Sequence, residues 1–227
     1  TSTENCAVAL LDGEDLHSRS EPAGQRHSEI LLGMIDRLLA ESGVRLTELD
    51  ALAFGAGPGS FTGVRIAASV AQGLAFGASL PVVPVCTLEA LAESCGADKI
   101  ATALDARLDE VYFAAYERSG HDWMPVVEPC LAAIADLPTL PGADWQGTGS
   151  GFSILDQQLA RHLHIQQADS TTVPQADAIA RLASRKLLAA QLGGQVAAMF
   201  DAANAQPIYL RNKVAMTIAE RHAKGYK

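Results

Sequence analysis

The residues with the most chemical reach lie in one nine-residue stretch, Gly55-Ala56-Gly57-Pro58-Gly59-Ser60-Phe61-Thr62-Gly63, between an apolar run and a helical pattern. Its four glycines reach backbone angles closed to other residues. A loop of this kind, running into a helix, can aim free N–H groups and the helix N-terminus at one point, as phosphate sites do. Gly57, Gly59, Ser60, Thr62 and Gly63 therefore form a candidate anion-binding loop, and a tight structural turn is the other reading. The stretch is not the G-x-x-x-x-G-K-[ST] loop, because no Lys follows. Nor is it a G-x-G-x-x-G with an acidic residue about twenty positions on.

Other reactive types do not assemble. Ser60 lacks the G-x-S-x-G setting of a nucleophile elbow. Asp105, Arg107 and Glu110 cluster near a turn and could do acid–base work, but exposed turn charges are the ordinary account. His27 heads a helix, yet position 31 is Leu where a metal-binding H-E-x-x-H needs a second His. His162 and His164 have no Cys, Asp or Glu cluster beside them and read as solvated or capping residues. The glycine run Gly147 to Gly151 reads as a loop before a helix. No catalytic residue and no metal site is expected.

Composition narrows the class. The net charge is −9, which argues against a domain that grips phosphates by itself. Residues 211–227 are the exception, with Arg211, Lys213, Arg221, Lys224 and Lys227 against Glu220, so this tail carries +4 and the body −13. Four scattered cysteines with no C-x-x-C pair fit a reduced, cytoplasmic setting. No run approaches the roughly 18 uncharged apolar residues of a membrane span, and no basic-then-apolar leader opens the chain.

The elements that would position these residues alternate. Asn5 to Leu11 and Leu16 to Ser20 read as a hairpin around Asp12-Gly13-Glu14-Asp15. Ser28 to Ser42 reads as a helix capped by Ser28 and closed by Gly43. At about 100° per residue, Ile30, Leu31, Met34, Ile35, Leu38 and Leu39 cover an arc of about 180°, with Leu32 just past its edge; a surface helix needs roughly 100°. Such breadth predicts two packing surfaces. Ala51 to Phe54 is a short buried strand, and a helix follows from Val64 to Phe76 with a small-residue face at Val64, Ala68, Ala71 and Ala75. From Ala51 to Leu88 the one charged residue is Arg65, so this helix should show water no broad side. Strands at Val82–Cys86, Lys99–Leu104 and Glu110–Glu117, a short helix from Thr87, loops through residues 119–150 and helices at Phe152–His162 and Gln175–Leu192 complete an α/β pattern of two lobes.

The stretch A-L-A-F-G-A-G-P-G-S-F-T-G-V-R, ending in P-V-V-P-V-C-T-L-E-A-L-A, resembles the bacterial threonylcarbamoyladenosine biosynthesis family TsaB, also called YeaZ. Thr1-Ser2-Thr3, Gln25-Arg26-His27-Ser28-Glu29, Asp105-Ala106-Arg107 with Glu110-Val111-Tyr112, and Pro207-Ile208-Tyr209-Leu210-Arg211 match it in order. The resemblance implies the two-lobed fold of actin, sugar kinases and heat-shock ATPases, mixed sheets flanked by helices, with the second lobe reduced. Residues 1–104 would form the first lobe, 105–208 the second and 209–227 the basic tail. A strand that precedes T-S-T in the family is absent from this sequence. The resemblance also implies a non-catalytic subunit that pairs with a paralogous TsaD-like subunit, with a TsaE-like ATPase joining them. ATP and metal would sit on those partners, and tRNA would be met through the complex. Self-association when alone is a further expectation. Because the family's first two helices bundle with the partner's, Ile30, Met34, Leu39, Val64, Ala68, Ala71 and Ala75 are the expected interface. A sugar-kinase-like nucleotide-binding phosphotransferase is the alternative, and a protease reading finds no triad or metal motif.

Overall fold

The computed structural model describes residues 1–154 and 158–211. Strands β1 (Asn5–Asp12) and β2 (Asp15–Pro22) form an antiparallel hairpin that turns on Gly13. Helix α1 (His27–Ser42) lies on it, burying Leu31, Met34 and Leu38 at helical spacing, the first two in one cluster with Cys6 and Ala23. It ends at Gly43 in the left-handed conformation, where the N–H groups of Gly43 and Val44 return to the carbonyls of Ala40 and Leu39. The start differs from expectation. Arg26 occupies the cap position without a side-chain bond, so Ser28 lies inside the first turn.

Strand β3 (Leu52–Gly57), helix α2 (Phe61–Ala78) and strand β4 (Val82–Cys86) form a β-α-β unit with the strands parallel. Ser60 caps α2, its hydroxyl accepting the Gly63 N–H at 3.2 Å. β1–β2 and β3–β4 are separate pairs. Between them runs a channel of about 580 Å³, lined by residues that include Ala9, Leu11, Leu39, Phe54 and Ile179.

After α3 (Thr87–Glu93) comes a mixed five-stranded sheet in the order β7-β6-β5-β8-β9. Its strands are β5 (Lys99–Asp105), β6 (Glu110–Ser119), β7 (Asp122–Ala133), β8 (Gln146–Thr148) and β9 (Gln167–Asp169). α4 (Gln158–His162), α5 (Ala176–Leu192) and α6 (Val196–Met199) complete the order. The expected class, mixed α/β with helices flanking sheets, is borne out.

Helix α5 buries Ala178, Leu182, Ala183, Leu187 and Ala190 against Val83, Val85, Leu88 and Leu91, so the chain's second half returns onto its first. β5 begins at Lys99, before the anticipated division at 104/105, and is the middle strand of the five. β7 falls where loops were expected. Pro125 and Pro129 disguised it in the sequence, yet β7 is an edge strand, where a missing N–H breaks no ladder on the open side. The expected helix Phe152–His162 is a 3₁₀ turn at Ser150–Ser153 followed by the short α4, and 155–157 lie outside the described residues. Most of the basic tail, 212–227, also lies outside them.

Candidate partner interface

The glycine loop closes on the chain itself. The Ser60 N–H donates to the Ser2 carbonyl at 2.8 Å, and the Thr1 hydroxyl donates to the Gly63 carbonyl at 2.9 Å. A Cβ on Gly59 would collide with the Ser2 carbonyl oxygen, and one on Gly63 with that of Thr1. Gly57, at φ 104°, lets the backbone turn while the Ile208 N–H donates to Ala56 at 2.7 Å. Gly57, Gly59 and Gly63 thus admit two other segments of the same chain, Thr1–Ser2 and the stretch at Ile208. Thr62 is exposed, and the Ser60 hydroxyl caps the helix.

Helix α2 presents two small-residue faces. Val64, Ala68, Ala71 and Ala75 point inward. The three alanines share a core cluster with Phe54, Ala56, Val82, Ala202 and Ala205, and Ala68 keeps 4 % of its surface. This face, expected to meet a partner, is therefore covered by β3, β4 and the segment near Ala202. The outward face lies about 120° round, at Thr62, Arg65, Ser69, Gly73 and Phe76. Phe76 is 63 % exposed, and nothing lies within 4 Å of where a Cβ would stand on Gly73 or Gly77. On α1, Met34 is core, whereas Ile30 and Leu39 are half-buried and Leu32 and Gly33 are exposed. Ser69, Gly73, Phe76 and Gly77 are exposed positions of α2 that spacing did not single out, although the helix's lack of charge, which the inward face by itself does not require, marks that side.

The end of α2 carries a braced arginine. The Arg65 guanidinium lies 3.3 Å from the centroid of the Phe61 ring and 5.2 Å from that of Tyr209. Its Nε–H donates to the Tyr209 hydroxyl at 2.9 Å. Two residues on, Arg211 pairs with Glu110 at 2.8 Å and donates to the Ala106 carbonyl at 2.9 Å. Residues 207–211 so form a strap from β3 and α2 to the β5–β6 turn. In that turn Arg107, Leu108 and Asp109 all take positive φ, stabilised by the Asp105 carboxylate, which accepts the Arg107 N–H at 2.7 Å and pairs with its guanidinium at 3.2 Å. Asp105, Arg107 and Glu110 are thus engaged in ion pairs that shape the turn.

The histidines differ from one another. His27 is buried, and its Nδ1 has no hydrogen-bond partner among the described residues; burial pushes its pKa down. His162 Nε2 lies 3.1 Å from the Leu137 carbonyl, and His164 is exposed. Among the described residues, no group of three His, Cys, Asp or Glu side chains could hold a metal ion, and no helix is long and apolar enough to cross a membrane.

Residues 19–219 match the family described as TsaD: tRNA N6-adenosine threonylcarbamoyltransferase. The chain is 37% identical to the tRNA threonylcarbamoyladenosine biosynthesis protein TsaB of Haemophilus influenzae, covering 94% of this chain and 92% of that protein. It is 34% identical to TsaB of Escherichia coli, over 95% and 94%. The solved structure of YeaZ from Pseudomonas aeruginosa superposes with a TM-score of 0.80 at 36% identity, over 92% of this chain and 96% of that one.

Proposed function

From the chain's membership of the TsaB family of tRNA threonylcarbamoyladenosine biosynthesis proteins, we propose that it works in the cytoplasm as a non-catalytic subunit that docks a TsaD-like paralogue through the outward faces of α1 and α2. One observation carries this reading: an exposed helical face of small, uncharged residues, Ser69, Gly73 and Gly77, with Phe76 beside it. Missing side chains let a second helix approach closely, and an unpaired Phe half in water supplies an apolar anchor. A face of this kind is poorly suited to solvent.

The alternative, a sugar-kinase-like phosphotransferase, needs a nucleotide to reach the glycine loop. There the Ser60 N–H already serves the Ser2 carbonyl, and the Gly59 and Gly63 positions abut Ser2 and Thr1. This filling favours the structural-turn reading of the loop. ATP, metal and group transfer are accordingly assigned to the TsaD-like and TsaE-like partners.

The test is reconstitution. The purified chain alone, with ATP and either tRNA or a panel of sugars, should give no turnover. With the TsaD-like and TsaE-like proteins, tRNA and threonylcarbamoyl donor, adenosine modification should depend on its addition. Steady turnover by the chain alone would overturn the proposal.

A further inference from the structure

We infer that Arg65, braced by Phe61 and Tyr209, is the polar anchor of the docking face and receives a carboxylate from a helix of the partner subunit. This rests on the docking proposed for α2. Arg65 is the one charged residue between Asp50 and Glu89, and it stands on the same outward stripe as Ser69 and Gly73. Among the described residues no Asp or Glu pairs with it, whereas Arg211 nearby is tied to Glu110. Its Nε–H is engaged by Tyr209 and its plane lies on Phe61, which leaves both Nη groups as a fixed fork.

A fork held in place this way has lost much of its rotamer freedom before binding, so capturing a planar carboxylate orders little more. Phe61 and Tyr209 keep 52 % and 49 % of their surface, enough to close over the pair and exclude water from it. The rest of the stripe is neutral. A partner acid set down anywhere else on it would be desolvated and unpaired, so Arg65 selects one register of the two helices. A phosphate is the weaker candidate. Such sites gather several donors, the N–H groups of Ser60, Gly63 and Val64 are engaged within the chain, and the net charge of −9 repels nucleic acid.

The test is titration calorimetry of Arg65→Ala, Arg65→Lys and Arg65→Glu against the purified TsaD-like paralogue, with Gly73→Trp alongside and thermal melts to verify folding. Arg65→Ala should weaken binding about tenfold or more. Lys should recover only part, since a point charge lacks the fork and the stack. Arg65→Glu should bind worst, and one acid-to-Lys replacement on the partner's helices should restore it. If Arg65→Ala and Arg65→Glu bind like wild type while Gly73→Trp does not, the anchor is refuted and the docking face stands. Normal binding by Gly73→Trp as well would bring down both. If Arg65→Glu binds normally but the assembled complex modifies tRNA poorly, Arg65 serves the RNA, and the inference is equally overturned.

Discussion

The carboxylate of Glu93, at the end of α3, accepts the indole N–H of Trp123 on β7 at 2.8 Å. Arg185 of α5 approaches the same carboxylate at 3.1 Å, and Arg118 of β6 lies over the Trp123 ring at 4.1 Å. Glu93 keeps 9 % of its side-chain surface, so one shielded acid ties two helices to the five-stranded sheet. Removing it leaves the indole N–H without its acceptor and Arg185 with its longer pair to Asp122, at 3.6 Å. Glu93→Ala should destabilise the chain by about 2–4 kcal/mol, a range set below the deepest buried pairs because both arginines are partly exposed. Glu93→Gln, which can still accept from Trp123, should lose about 1–2 kcal/mol. Urea denaturation checks both values.

Gly63 and Gly73 make a matched pair on one helix. Gly63→Ala drives a methyl into the Thr1 carbonyl and should cost about 1–3 kcal/mol, with faster amide exchange at Ser60, whose N–H bonds Ser2. Gly73→Ala enters open space and should stabilise by about 0.5–1 kcal/mol through helix propensity. Thermal melts of the two variants should move in opposite directions.

His27 gives a pH dependence with a definite sign. Burial lowers its pKa from the ordinary 6.5, so the folded chain takes up the proton less readily than the unfolded one. The stability it contributes is fully present above the ordinary value and is lost as pH falls through that range toward the folded pKa. Between about pH 7.5 and pH 5.5 the melting temperature should fall more steeply for wild type than for His27→Gln. Parallel curves would show that His27 titrates alike in both states.

Much of this was legible in sequence because periodicity reports burial. The α1 arc gathered the buried Leu31, Met34 and Leu38 with the half-buried Ile30 and Leu39, although Met34, expected at the interface, is core, and the end at Gly43 followed from its left-handed cap. Two things were not legible. Edge strand β7 hid behind Pro125 and Pro129, since tolerance of proline depends on which side of a strand is paired. On α2 both faces are small, so spacing could not say which one the chain covers with Ala202 and Ala205. The consequence is testable. Ala68→Arg puts an unpaired charge into a packed core, at a cost of several kcal/mol, about as much as Leu38→Arg, and both should unfold the isolated chain.

The outward face of α2 is the central claim, and Gly73→Trp addresses it most directly. The variant should melt within a few degrees of wild type, because open space surrounds Gly73. On size-exclusion chromatography with the TsaD-like paralogue it should elute as a separate peak, and tRNA threonylcarbamoylation in the reconstituted mixture should be lost. A folded Gly73→Trp that co-elutes with the paralogue and supports full modification would contradict the account.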